Sequence, residues 1–267
     1  MPSSYPKFAV SDDESMAEGD TILRLARRFE QTIVGETVAA SAPNPRGKAA
    51  GIERLDGQRL ESVDARGKHF LLDFGELSLH SHLGMSGGWH IYRHGSRWRR
   101  PRTSAWAVLS GGGWDAVQFG GPTLQVMPTS RLRRDPQIAR LGPDVLAQEF
   151  DEDAVVAAMR ANPTRTLGDA LLDQHLVAGI GNIFKSEACF AARVDPWRPI
   201  GDLSEEELRS VLAAARGLML EAVKSGRHPH KVYRRRQGAC PRCRGRISSR
   251  GQGDANRTTY WCPRCQV

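Results

Sequence analysis

Ile22, Leu25, Phe29 and Ile33 recur at steps of three and four residues, which places them on one face of a predicted helix. Asp20 suits the N-cap of that helix and Gly35 its stop. From about Thr37 the apolar positions come in shorter alternating runs, LESVDARGKHFLLDFG, LSLHSHLGMSGGWHIYR and SAWAVLSGGGWDAVQFGG, separated by glycine pairs and a Gly-Glu turn. Such runs predict hairpins of an antiparallel sandwich or barrel. PTSRLRRDPQIARLGPDVL is broken by proline and polar residues and reads as a passage between domains. Beyond Pro143 the helical period returns in FDEDAVVAAMRAN, TRTLGDALLDQHLVAG, GNIFKSEACFAARV and SEEELRSVLAAARGLMLEAVKSG. The first 15 residues, with two prolines, three acids and little to bury, read as a flexible extension. These shifts divide the chain into segments 1–15, 16–130, 131–230 and 231–267, an α+β arrangement in which a β-rich half precedes a helical one.

Composition sharpens this picture at one end. Of the net charge of +8, residues 221–267 supply +10, from 12 Lys or Arg against Glu221 and Asp254, so the rest of the chain sums to about −2. Basic charge gathered in this way attracts a polyanion by releasing its counterions. No apolar run approaches the ~18 residues that span a membrane, and residues 1–15 lack the order of a signal peptide, so a cytoplasmic protein is expected.

The five cysteines do not suggest a disulfide framework. Cys240-Pro-Arg-Cys243 and Cys262-Pro-Arg-Cys265, 18 residues apart, have the spacing of two knuckles that hold one tetrahedral Zn2+ around a hairpin. Four thiolates close the coordination sphere, so the metal is structural; the alternative for one CxxC alone is redox chemistry. Cys189 falls in an apolar helix and is expected in the core. Arg257 stands just before the second knuckle, where a hairpin tip suits it to phosphate contact. Between two amphipathic segments lies Ala178-Gly179-Ile180-Gly181-Asn182, whose glycines leave the next helix's N-terminal amides open as an anion site, with Asn182 adding donors. A DNA phosphate fits that site; a plain helical hairpin is the alternative.

Glu18-Gly19, Gly67-Lys68, HSHLGMSGGW at 80–89, LLDQHLVAGIGNIFKSE at 171–187 and RTTYWCPRCQ at 257–266 together resemble the formamidopyrimidine-DNA glycosylase and endonuclease VIII family, in its order, from about Met16 to the C-terminus. The resemblance implies an N-terminal helix on a β-sandwich, then a helix-two-turns-helix domain with a C-terminal zinc ribbon. Damaged double-stranded or bubble DNA would lie across the cleft, bound by a monomeric, nucleoid-associated protein. It further implies excision of oxidised bases and β,δ-elimination at the abasic site by an N-terminal amine. That position is Ala17 here, where the family has proline. Glu18 matches the catalytic acid, and Lys68 the lysine that contacts phosphate and assists base departure. Asn182 and Arg257 match phosphate clamps, with Lys185 on the same helix, and Met85 and Phe119 match residues that fill the gap of a flipped base.

The chain also departs from the family pattern, with Thr21 in place of a second glutamate and Val117 in place of a wedge arginine. AEGDT is closest to the PEGDT opening of bacterial endonuclease VIII-like members, which tilts the expected substrate toward oxidised pyrimidines. An α-amino group has a reference pKa near 8, about two units below lysine, and so offers a neutral nucleophile. A start at Met16 followed by its removal would give residue 17 that amine. With residues 1–16 attached, residue 17 has only an amide nitrogen, leaving Lys68 as nucleophile or a protein that binds abasic-site DNA without turnover. A zinc-ribbon adaptor unrelated to repair is the more distant alternative.

Overall fold

The computed structural model describes residues 17–254 and 256–267; the expected extension at 1–15 and Met16 lie outside the described residues. The first helix, α1 (Gly19–Glu30), buries Ile22, Leu25 and Phe29, with Ile33 buried just beyond it, as the periodicity requires. Its N-cap is Glu18, whereas Asp20 falls inside the first turn, and it ends at Gln31. Gly35, at φ +90°, turns the chain after a further set of turns. The N-terminal boundary moves because the Glu18 carboxylate is drawn to another helix, described below.

Strands β1 (Ala39–Ser41), β2 (Ser62–Arg66), β3 (His69–Asp73), β4 (Leu77–His82), β5 (Gly88–Arg93), β6 (Ala107–Gly111), β7 (Trp114–Phe119) and β8 (Thr123–Pro128) form two antiparallel sheets. Their orders are β1-β6-β7-β5 and β2-β3-β4-β8. A short helix, α2 (Pro45–Ala49), follows β1. Phe29 of α1 meets Phe70 at 4.9 Å and Trp89 at 5.3 Å edge to face, joining the helix to a core that includes Leu72, Leu79 and Leu109.

The proline-broken passage holds two four-residue helices, α3 (Thr129–Leu132) and α4 (Pro136–Ala139). Then come α5 (Glu152–Arg160), α6 (Leu167–Ala170), α7 (Asn182–Ala192) and α8 (Glu205–Ser225). The segment TRTLGDALLDQHLVAG yields one helical turn and then irregular chain, because Gln174 turns inward to bond the backbone of the glycine turn. Ser204 and Glu207 make a reciprocal capping box for α8, and Gly226 ends it at φ 71°. Val155, Met159, Leu171, Phe184, Val211 and Met219 form the core of this half, and Cys189 is buried there as expected. The C-terminal hairpin pairs β9 (Ser248–Gln252) with β10 (Arg257–Trp261).

Candidate active site and nucleic-acid interface

The head of the described chain is threaded between two turns. The Ala17 N–H donates to the Gly84 carbonyl at 3.3 Å, in the turn that links β4 to β5, and the Gly19 N–H donates to the Gly179 carbonyl at 3.0 Å. Between them the Glu18 side chain is fully buried. Its carboxylate accepts from the backbone N–H groups of Gly181 (2.9 Å), Ile183 (2.8 Å) and Phe184 (3.3 Å). The anion site predicted at the start of α7 therefore exists, but a side chain of the protein occupies it instead of a DNA phosphate. The carboxylate satisfies orphan amides and sits at the positive end of the helix. A Cβ on Gly181 would lie 2.2 Å from the Glu18 Cδ, so the glycine makes room for the acid. Burial pushes the Glu18 carboxyl above its usual range, against the pull of the Lys68 ammonium and of the α7 amides.

Lys68 follows Gly67 in the β2–β3 turn, where Gly67 adopts φ +57°. That turn is pinned to the other half of the molecule: the Gly67 N–H donates to Asp144 Oδ2 at 2.6 Å, and Asp144 Oδ1 accepts from the Leu146 N–H at 2.8 Å. Burial lowers the Lys68 pKa to about 8, opposed by Glu18 and assisted by Arg257. Beside it His69 and His80 share a ring-nitrogen contact of 2.8 Å, and His82 lies 4.8 Å from His69 between centroids. Burial drops His69 to about 3 and His82 to about 4, so both imidazoles are neutral at physiological pH.

Met85 projects from the same turn that receives Ala17. At 68% exposed it is, with Val267, one of two large apolar side chains left in solvent among the described residues. Arg257, at the start of β10, reaches it from the ribbon hairpin, with Nη1 3.5 Å from the Met85 sulfur. Ala17, Glu18, Lys68, Met85 and Arg257 are thus brought to one place from four separate stretches of chain.

The ribbon hairpin is fixed to α7. The Asn182 Nδ2 donates to the Thr258 carbonyl at 2.8 Å, and its Oδ1 has no partner among the described residues. Lys185, expected to contact DNA, is instead fully buried, its Nζ donating to Thr259 Oγ1 at 2.5 Å. Thr259 Oγ1 in turn donates to Gln252 Oε1 at 2.6 Å. Burial lowers the Lys185 pKa to about 8, and its place is in the joint between helix and hairpin. Phe119 also departs from expectation. It is 1% exposed, packed with Trp98, Val108 and Val117 and edge-on to His90, and its ring cannot enter a base stack from there.

The sulfurs of Cys240, Cys243, Cys262 and Cys265 all lie within 4.8 Å of one another, with contacts of 3.8 Å (Cys240–Cys265) and 3.5 Å (Cys243–Cys262). A tetrahedron with Zn–S bonds of about 2.3 Å has edges of about 3.8 Å, so the four thiolates fit one structural zinc.

Asp144, Gln174 and the pairing of Asp20 with buried His228 (2.9 Å) are not legible in the sequence, which offers Asp20 as a helix cap alone. Asp144 and the Asp20–His228 pair act across 77 and 208 residues of chain, whereas Gln174 bonds the glycine turn five and six residues on; a Pro-Asp after a loop glycine is the sole local sign of the first. A separate groove of about 730 Å3, lined by Leu23, Val63, Gly67, Asp144 and Ala178 among others, runs along α1 and β2 and includes none of Lys68, Met85 and Arg257. Among the described residues, no helix is long and apolar enough to cross a membrane.

Comparisons with known proteins agree with this layout. Residues 16–117 match the formamidopyrimidine-DNA glycosylase N-terminal domain, 141–233 the formamidopyrimidine-DNA glycosylase H2TH domain, and 239–267 the zinc finger found in FPG and IleRS. A protein of Streptomyces coelicolor named probable endonuclease 8 2 is 36% identical over 94% of both chains. The DNA-(apurinic or apyrimidinic site) lyase Nei2 of Mycolicibacterium smegmatis is 32% identical over 94% of this chain and 99% of its own. Among solved structures, the complex between Lactococcus lactis Fpg and an abasic site containing DNA superposes with a TM-score of 0.78 at 22% identity, over 93% of this chain and 99% of that one.

Proposed function

The chain belongs to the formamidopyrimidine-DNA glycosylase and endonuclease VIII family of DNA glycosylases and abasic-site lyases, and from that premise we propose that it excises oxidised bases, pyrimidines preferentially, and cleaves the abasic site through the residue-17 nitrogen. The observation that carries this reading is the position of that nitrogen, 3.3 Å from the Gly84 carbonyl, beside buried Glu18 and the exposed Met85 that Arg257 touches.

With residue 17 heading the chain, its amine attacks the sugar C1′, the base departs, and a Schiff base forms. The protonated imine draws electrons from C2′, which loses a proton as the 3′ phosphate leaves. A second elimination releases the 5′ phosphate. Glu18, whose carboxyl keeps its proton to a higher pH than usual, is the acid for the opening sugar. Lys68 and Arg257 hold phosphates of the damaged strand while Met85 enters the vacated stack. Asn182 holds the Thr258 carbonyl and so sets the hairpin that carries Arg257. The substrate is damaged duplex or bubble DNA, taken up by a monomer in the cytoplasm.

Borohydride trapping on abasic-site duplex, followed by peptide mapping, tests the proposal with chains that begin at residue 17 and at residue 1. The expected adduct is on Ala17 of the shorter chain. Absence of any adduct from both chains refutes the lyase and leaves a protein that grips abasic DNA. A second reading is favoured by the Lys68 pKa of about 8: an adduct on Lys68 in the longer chain would make that amine the nucleophile.

A further inference from the structure

We propose that the loop between β5 and β6 is a second DNA-binding bank that holds the phosphate backbone of the strand opposite Met85. The proposal rests on the reading of this protein as a duplex-binding repair enzyme. No Asp or Glu occurs between Glu76 and Asp115, and within that stretch the loop reads Arg97-Trp98-Arg99-Arg100-Pro101-Arg102. All four arginines are exposed, and among the described residues no carboxylate pairs with Arg97, Arg100 or Arg102.

The loop is held rigidly. Trp98 is its buried anchor, stacked on Tyr92 at 6.1 Å, and the Arg102 guanidinium lies over the Trp98 ring at 4.2 Å. Arg100 lies over the Phe119 ring at 5.6 Å. Cations stacked on rings keep their donors free at the edge and lose little conformational freedom when a phosphate arrives.

Its place in the fold identifies the ligand. Phe119 pairs with Gly88 across β7 and β5, and the following Gly120-Gly121 packs on the backbone of Leu83, Ser86 and Gly87. The basic loop therefore flanks the Met85 turn on one side, while Arg257 reaches Met85 from β10. An exposed apolar side chain approached by basic groups from two separate segments suits a duplex, which has one phosphate backbone on each side of the base stack that the wedge enters.

The test uses the full chain with R97Q/R100Q/R102Q and, separately, R97Q alone, which leaves both ring contacts in place. Affinity for a reduced abasic site is measured in duplex and in single-stranded DNA across a potassium chloride series. On duplex the slope of log K against log salt is expected to become shallower by about 2 to 3 for the triple variant and by about 1 for R97Q, since each neutralised phosphate contributes about 0.9. On single-stranded DNA the slope is expected to stay as in the parent. A duplex slope unchanged in both variants, or an equal loss on duplex and single strand, overturns the proposal. The parent distinguishes the two readings: failure to prefer abasic over intact duplex sinks the repair function, whereas a preference kept with an unaltered slope sinks the loop alone.

Discussion

Gly181→Ala should drive the Glu18 carboxyl group off the α7 amides with a single added methyl. Gly181 has φ −120° and ψ −166°, extended backbone that alanine adopts without strain, so the effect comes from the methyl alone. That methyl would lie 2.2 Å from Glu18 Cδ and 2.5 Å from its Cγ and Oε1. Glu18 has no empty space to retreat into, being fully buried, so its carboxylate must leave the α7 amides. Losing two of the three hydrogen bonds, at about 1.5 kcal/mol each for a charged acceptor, costs about 3 kcal/mol. Restricting the unfolded chain returns at most about 1 kcal/mol, so a net destabilisation of about 2 kcal/mol or more is expected. Urea unfolding followed by tryptophan fluorescence reads the shift. Gly217→Ala is the matched control: this glycine is exposed in the middle of α8 with nothing within 4 Å of its built Cβ, and alanine there should stabilise by about 0.5–1 kcal/mol. In a Glu18→Ala background the Gly181→Ala cost should nearly vanish, since the clashing atoms are gone. A Gly181→Ala midpoint equal to the parent's, or an undiminished cost in the Glu18→Ala background, would refute the reasoning.

Three further outcomes are expected. Removing zinc by chelation, or Cys262→Ser, should unfold the ribbon, because structural zinc supplies about 10–16 kcal/mol of binding free energy in such modules; abasic-site binding, followed by anisotropy, should fall with it as Arg257 loses its support. Met85→Ala should leave the melting temperature within about 0.5 kcal/mol equivalent of the parent, its side chain being 68% exposed, while weakening binding to abasic-site duplex; a stability loss without a binding loss would mark it as a core residue. The buried His228–Asp20 contact raises the His228 pKa above 6.5, through the bond to Asp20 acting against burial, with Glu18 adding to the rise and Arg24 opposing it. Its stabilisation is then full below pH 6.5 and is lost as pH rises through the folded pKa, and a His228→Gln variant should lack that decline in urea midpoints measured from pH 6 to 9.

Local patterns were readable from the chain. The Ile22–Leu25–Phe29–Ile33 spacing gave the buried face of α1, and the paired CxxC knuckles gave the zinc cluster, because in both cases the partners are fixed by short sequence distances. Contacts between distant segments were not. Glu18 and Gly181 are 163 residues apart, and nothing near either shows that the anion site at α7 is filled from within. Lys185 and Phe119 take DNA-binding roles from the family resemblance, and a matched position does not show burial: the hairpin covers the one and the Trp98 cluster the other. Met85 lies on the turn that passes from β4 in one sheet to β5 in the other and Arg257 at the first residue of β10, and their mutual contact follows from how α7 carries the ribbon.

Threading one carboxylate into amides 181, 183 and 184 welds the head of the polypeptide to its middle. A severed front half would carry a stranded anion and a severed back half a bare helix end. The two pieces fit as two halves of a broken coin share an edge, so neither half expressed alone would keep a partner for the polar groups that meet here.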